Sequence, residues 1–342
     1  MKSMNNFNNS PPPLELKQWQ SQAPANTMIL GEHSVVYGHP AIACALDQFI
    51  TIDWQLRSDT KVHIHSALAT IQTDLHTLNG HPKLQFVIKA LQAFKPHLKH
   101  GLNITIQSEF SSTIGLGSSA AVLAAMLDGL NTLTQQSHDT LKLFEIGHSI
   151  ILDIQGRGSG TDLAASLTGG GIFFEPSSKQ SPQTKITKFP LDFPLCLIYA
   201  GYKTPTAEVL AWVAKQWQNK SEPLNRLYQQ MGETTRNAFQ ALQKAYSIEG
   251  GDFFEFYQTI QTYQTLMEQL GVSDDTLNHL IQQLEQCPTV QAAKISGSGL
   301  GDCVLGLGTL PPEQLKPFKD FQVLQVNITP LGAFTKAIET PL

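Results

Sequence analysis

Charge is what this 342-residue chain has least of: Asp, Glu, Lys and Arg together make up 15% of it, against about a quarter in an average soluble domain. With 41% apolar residues and a formal net charge of −5, a charge-swollen disordered chain is excluded. Positive excess is missing too, with 23 Lys and Arg against 28 Asp and Glu. That balance excludes the basic footprint of a nucleic-acid-binding chain, although backbone N–H groups can still bind an anion locally. Cysteine is scarce. Cys44, Cys196, Cys287 and Cys303 lie far apart with no C-x-x-C pair, so a zinc site is not expected and the thiols read as reduced and buried. No stretch approaches 18 uninterrupted apolar residues, so no membrane-spanning helix is expected. The first residues, MKSMNNFNNSPPP, lack the apolar centre of a signal peptide. The expectation is a cytoplasmic protein without nucleic-acid or membrane partners.

The length suggests about two domains. Residues 1–13 are polar, end in three prolines and read as a flexible tail. Apolar runs predict strands at 27–30, 41–46, 49–52, 61–65, 102–107, 172–174, 195–199, 303–307 and 322–328. The run 27–30 is interrupted by Gly31-Glu32-His33 and resumes at Val35-Val36-Tyr37. Helical spacing predicts helices near 84–94, 118–133, 139–152, 206–218, 222–245, 252–270 and 273–286. The polar, proline-containing stretch 175–188 is the best candidate for a domain junction, dividing 14–188 from 189–342. Strands and helices mix without strict βαβ alternation, which makes both halves α+β.

Three glycine-rich segments stand out. Gly115-Leu116-Gly117-Ser118-Ser119-Ala120-Ala121 follows a strand and opens an Ala-rich helix. Glycines let a backbone approach a ligand closely. Ser118 as a cap would leave a helix N-terminus able to hold phosphate. No Gly-Lys-Ser/Thr follows, so this is not a Walker A loop; an ordinary turn with a serine cap is the plainer alternative. Gly156-Arg157-Gly158-Ser159-Gly160-Thr161-Asp162 ends in a carboxylate, either a helix cap or a base or magnesium ligand beside phosphates. Ser296-Gly297-Ser298-Gly299-Leu300-Gly301-Asp302-Cys303 runs from strand to strand, with more glycine and serine than a hairpin needs.

In this order and spacing, the three segments resemble the phosphate loop, catalytic-aspartate segment and C-terminal glycine loop of the GHMP kinases, over most of residues 22–340. The motif Gly31-Glu32-His33-Ser34-Val35-Val36-Tyr37-Gly38-His39-Pro40 and the stretch Leu270-Gly271-Val272-Ser273 are similar to the mevalonate kinases of that family. The resemblance implies an N-terminal ribosomal-protein-S5-like domain and a C-terminal ferredoxin-like domain, with the active site between them. It implies ATP and Mg2+ as cofactors, a small-molecule substrate, mevalonate, and phosphoryl transfer to the mevalonate 5-hydroxyl; a homodimer is open. By matching position, Asp162 is the base. Asn26 stands at a catalytic position. Gly115, Leu116, Gly117, Ser118, Ser119 and Ala120, with Gly297, Ser298 and Gly299, bind the nucleotide. Ser119 touches the metal. Glu32, His33, Gly158, Ser159 and Lys203 face the substrate.

The chain departs from the family pattern at three places. Mevalonate kinases read Pro-Gly-Lys where this chain has Pro24-Ala25-Asn26. Lys203 or Arg157 would have to supply the missing charge. The family's magnesium-binding glutamate falls near Ile151. Either Asp153 or Glu145 compensates, or phosphates, Ser119 and water hold the metal. Residues 155–162 look more like phosphomevalonate kinases. A phosphorylated substrate would need a basic pocket, for which Arg157, Lys203 and Lys294 are the candidates. A non-catalytic ATP-binding sensor of the same fold is the reading from another class.

Overall fold

The computed structural model describes residues 18–111, 114–178 and 181–338; the tail expected at 1–13 lies outside the described residues. Two sheets organise the chain. The first begins with β1 (Gln18–Leu30) and β2 (Ala41–Leu56), which pair antiparallel over most of their length with two bulges. The sequence shows only the last third of β1, because its first part mixes glutamines with Trp19, Ser21 and Ala23, all fully buried. Alternation is clearest in β2, where Ile50, Ile52 and Trp54 point inward. The two halves of β2 take different neighbours. Residues 50–56 pair with β5 (Leu102–Ser108), while residues 41–44 pair with β6 (Gly171–Glu175). β3 (Lys61–Ser66) and β4 (Thr70–Asp74) extend the sheet beyond β5.

Helices cover one face of this sheet. α1 (Gln85–Phe94), α2 (Ser118–Thr134), α3 (Thr140–Gln155) and α4 (Thr161–Thr168) pack on one another. α2 contacts β1 and β2, and α4 contacts β1, β2 and β6. Both α2 and α4 are Ala- and Leu-rich and buried almost all round, as helices sandwiched between layers must be. α3 is capped at its start by Asp139, whose side chain accepts from Lys142 N at 2.8 Å, and ends on left-handed Gly156.

The polar stretch 175–188 begins and ends in paired strands. Glu175 ends β6, and Lys185–Phe189 forms β7 antiparallel to it. The chain then enters the second sheet, ordered β11–β8–β10–β9 and antiparallel throughout. Its strands are β8 (Leu195–Tyr199), β9 (Val290–Ser296), β10 (Cys303–Gly308) and β11 (Gln322–Val326). Between β8 and β9 come α5 (Thr206–Gln216), α6 (Ser221–Tyr246), α7 (Phe254–Leu270) and α8 (Asp275–Glu285). α7 and α8 cover β9. After β11 the chain returns, and β12 (Phe334–Ala337) pairs with β1 on the edge of the first sheet. Polar and glycine-rich composition resembles a linker whether it makes a hairpin or a junction, and a four-residue edge strand has too short a period to read.

The two α+β halves agree with the expected fold class. The run Val35–Tyr37 differs. It lies in a 3₁₀ turn (Ser34–Tyr37) with Val36 and Tyr37 exposed, and Tyr37 stacks on Tyr228 at 4.3 Å between ring centroids. All four cysteines are buried and free. No helix among the described residues is long and apolar enough to cross a membrane.

Trp54 and Trp19 stack at 5.5 Å, and Trp54 Nε1 donates to Ser21 Oγ at 2.8 Å in a fully buried setting. Ser21→Ala strands that donor, and the expected cost is about 1–3 kcal/mol, read as a lower urea midpoint. An unchanged midpoint would show that the indole finds another partner.

Candidate active site

The first glycine loop lies against β1. Asn26 is buried, and its Nδ2 donates to Ser166 Oγ at 2.9 Å and to Gly117 O at 3.4 Å. Its backbone N–H donates to Leu116 O. Ser166 Oγ in turn donates to Pro24 O at 2.7 Å. Only glycine fits above this amide. Gly117 has φ 66°, and a Cβ there would come within 2.2 Å of Asn26 Nδ2. Asn26 therefore holds the loop down with both of its amide hydrogens. Leu116 is core, fully buried.

Gly117, not Ser118, is the cap residue of α2, and no side chain caps it. Ser118, Ser119 and Ala120 form the first turn, whose N–H groups have no partner within the helix. This end of α2 carries the positive pole of the helix dipole and is suited to an anion. Ser119 is exposed beside it.

α4 begins on the opposite wall. Gly160 is its cap residue, with φ 76°, and Asp162 is the second helical residue. Asp162 is thus not a cap, and among the described residues no ion pair claims it. Ser159 does the local work, accepting from Thr161 N at 3.2 Å and bonding Thr161 Oγ1 at 2.9 Å. His148 Nε2 bonds Gly158 O at 2.9 Å, which fixes the turn before it. Ser119, Asp162, Ser159, Arg157, Gly158 and Ile151 line one cavity of about 540 Å³, closed from the second half by Thr206, Ala207 and Leu210 of α5. The carboxylate of Asp162 is open to this cleft yet enclosed by protein at longer range. That enclosure raises its pKa to about 6; Glu32 pushes the same way and Lys203 opposes.

Polar contacts between the halves surround this wall. Glu32 and Lys294, both fully buried, pair at 2.5 Å from Oε1 to Nζ. Lys294 also donates to Ile295 O and lies 5.8 Å from the Tyr263 ring centroid. Burial pulls the pKa of Lys294 down against the hold of Glu32. Tyr263 Oη donates to Glu32 O at 2.8 Å. His33, in a left-handed conformation with φ 61°, bonds Ser298 O through Nε2 at 2.8 Å. A carbonyl only accepts, so Nε2 carries the hydrogen and Nδ1 is an acceptor; burial keeps the ring neutral by lowering its pKa. Glu32 Oε2 and His33 Nδ1 are buried without hydrogen-bond partners among the described residues.

The third glycine segment is a β9–β10 hairpin loop that reaches the first. Asp302, with φ 69°, accepts from Gly115 N at 2.9 Å through Oδ1 and pairs with Lys203 Nζ at 2.7 Å through Oδ2. A Cβ on Gly115 would lie 2.4 Å from Asp302 Oδ2. Gly297 and Ser298 sit in the same loop, and Thr27 Oγ1 and Ser296 Oγ bond across the halves at 3.0 Å.

A second cavity of about 540 Å³ adjoins the start of α2. Ile50, Leu84, Phe86, Val87, Ile106, Phe110 and Val122 make it apolar, and it shares Phe86, Ser119 with the first. Four features are not visible in the sequence: Asp302 as a clamp, Ser166 as the partner of Asn26, and Phe86 and α5 as walls. The only signal for Asp302 was its place after three glycines; the others come from distant segments. Neither carboxylate expected to replace a metal ligand faces the cleft. Asp153 pairs with Lys89 and Glu145 with Lys142 on exposed surface, while Ile151 is buried against Gly158. The described residues hold no group of three His, Cys, Asp or Glu side chains that could cage a metal. At the start of α2, Ser119 presents its hydroxyl to the cavity.

Residues 85–170 match the sequence family described as GHMP kinases N terminal domain. The chain is 28% identical to the mevalonate kinase of Pyrococcus furiosus over 306 residues, 84% of this chain and 88% of that protein. It is 29% identical to the mevalonate kinase of Archaeoglobus fulgidus over 289 residues, 84% of this chain and 91% of that one. Among solved structures, L. major mevalonate kinase in complex with R-mevalonate superposes with a TM-score of 0.72 at 22% identity, covering 92% of this chain and 96% of that one. The fold is therefore that of the GHMP kinases.

The folded protein holds the Asp162 proton more tightly than the unfolded chain does, so ionising this group costs stability. The cost is absent below the ordinary carboxylate range and complete above about pH 6. Asp162→Asn removes it. The variant's thermal midpoint should exceed the wild type's at pH 7.5, with the gap closing as pH falls toward 4. A variant less stable than wild type at pH 7.5 would show that the carboxylate is stabilised instead.

Proposed function

From its place among the GHMP kinases, a family of small-molecule kinases, we propose that this chain transfers the γ-phosphoryl group of ATP to the 5-hydroxyl of mevalonate. The observation that carries the reading is Asp162: a carboxylate in a concave cleft, uncommitted to any cap or ion pair among the described residues, with its pKa raised to about 6. A base tuned toward neutral pH takes a proton most effectively. The triphosphate lies at the open end of α2, and the adenine base in the apolar cavity beside it, since Phe86 and Ser119 border both spaces. The acceptor takes the cavity of Asp162. Its 3-hydroxyl turns toward the Glu32–His33 side, where Oε2 and Nδ1 lack partners among the described residues, and Arg157 meets its carboxylate.

In the step, the acceptor oxygen bonds to the γ-phosphorus while the bond from that phosphorus to the β,γ-bridging oxygen breaks. The electron pair leaves with ADP, and the hydroxyl proton passes to Asp162. Binding and orientation supply most of the acceleration, because the protein does little covalent chemistry in phosphoryl transfer. Magnesium neutralises phosphate charge when bound; Ser119 would hold it together with phosphate oxygens and water, as this cation commonly is held. Ile151 excludes a carboxylate cage.

Phosphomevalonate as the acceptor is disfavoured. Of the three cations a second phosphate could use, Lys294 is buried and committed to Glu32. A sensor without turnover is disfavoured by the free, raised carboxyl of Asp162.

An assay for ADP release tests the reading with mevalonate, phosphomevalonate and no acceptor. Mevalonate should give the highest kcat/KM by at least about tenfold, the scale of one lost charge-assisted contact. Asp162→Asn should lower kcat by about 10²- to 10⁴-fold while ATP still binds. A preference for phosphomevalonate would overturn the substrate; a near-normal rate in the variant would overturn the base.

A further inference from the structure

We propose that Lys203 is the cation of the transferring phosphoryl group, parked on Asp302 until a nucleotide seats. The inference rests on the kinase reading and deepens it.

The cleft is poor in free positive charge. Asn26 carries none, and its amide hydrogens are given to Ser166 and Gly117. Lys294 has no solvent exposure and is spent on Glu32 and Ile295 O. Arg157 donates through Nη2 to Ala207 O at 3.1 Å, at the α5 side of the cavity. Lys203 differs on each count. It stands in the loop after β8, its side chain is 39% exposed, and among the described residues its ion pair is with Asp302. The other oxygen of Asp302 holds Gly115 N, the first residue of the phosphate loop. The ammonium is therefore one carboxylate away from that loop, and it also acts electrostatically on Asp162.

The arrangement explains why an acidic residue can sit against a phosphate loop at all. An unpaired Asp302 carboxylate there would repel a triphosphate. With Lys203 on its outer oxygen, the pair is neutral and the inner oxygen still orders Gly115. A lysine ammonium is a compact charge with three donors on a flexible stem. One of its donors can reach toward the γ-phosphate while another stays on Asp302, so the carboxylate is not left unpaired beside the triphosphate. Through the transfer step written above, Lys203 keeps its proton; it offsets the negative charge on the phosphoryl oxygens, while the hydroxyl proton goes to Asp162. Preorganised charge of this kind is a large catalytic term.

Wild type, K203M, K203Q and K203R are compared in two measurements. The first is kcat for mevalonate phosphorylation. The second is the calorimetric affinity for a non-hydrolysable ATP analogue relative to ADP, which reads the γ-phosphate without any acceptor. K203M and K203Q should lose about 10²- to 10³-fold in kcat and about tenfold in preference for the ATP analogue, equivalent to about 1.4 kcal/mol. K203R should keep most of both. Asp302→Asn in the K203M background should recover nucleotide affinity but not kcat, since it removes repulsion without restoring the cation. Neutral variants with kcat within a few-fold of wild type and an unchanged ATP-to-ADP ratio overturn the proposal. A wild type inactive on mevalonate overturns the acceptor, whereas the binding ratio still decides Lys203.

Discussion

A single buried ion pair, Glu32 with Lys294, organises the site. Glu32 comes from the turn after β1 and Lys294 from β9, so the pair joins the two halves where neither side chain meets water. Desolvating two charges is costly, and such a pair gives little net stability even when its geometry is good; removing one partner is far worse, at about 3–5 kcal/mol. Its value here lies in what it arranges. It places a carboxylate near Asp162, with one oxygen neutralised and the other unpartnered. That negative charge adds to the burial that raises Asp162, so the ion pair and the raised carboxyl belong to one electrostatic arrangement.

The glycine loops follow from the same need for close approach between halves. Asn26 presses against Gly117 from below, and Asp302 presses against Gly115 from the other half. In both cases a side chain occupies the space a Cβ would need. The loop is thereby held in the shape that opens the first turn of α2, whose N–H groups are left without a side-chain cap. Few charges are present overall, and two of the carboxylates near the cleft are matched: Glu32 to Lys294, Asp302 to Lys203. Among the described residues, Asp162 is a cleft carboxylate without an ion pair.

Much of this was legible in the sequence, for identifiable reasons. The helices with 3.6-residue periodicity and the fully buried strands announce themselves by pattern, as α6 and β8 do. The glycine segments could be read as places of close approach because glycine leaves room for the contacts that Gly115 and Gly117 make. The strand β7 and the returning β12 could not be read, because polar composition does not distinguish an edge strand from a linker, whereas β6 was legible in its apolar run. The role of Asn26 was legible only as an absence of charge. Its work as a latch depends on Ser166, 140 residues away, and no local pattern carries that. Nor could the sequence show that Asp153 and Glu145 face outward, or that Asp302 and Lys203 meet.

The central claim is that Asp162, raised by its enclosure and by Glu32, is the base for phosphorylation of mevalonate. The pH dependence of kcat/KM for mevalonate, which reports groups of the free enzyme, tests it most directly. The rate needs the ionised carboxylate, so it should rise as pH increases and reach half its plateau near pH 6. A rate that stays flat from pH 5 to 8 would contradict the account.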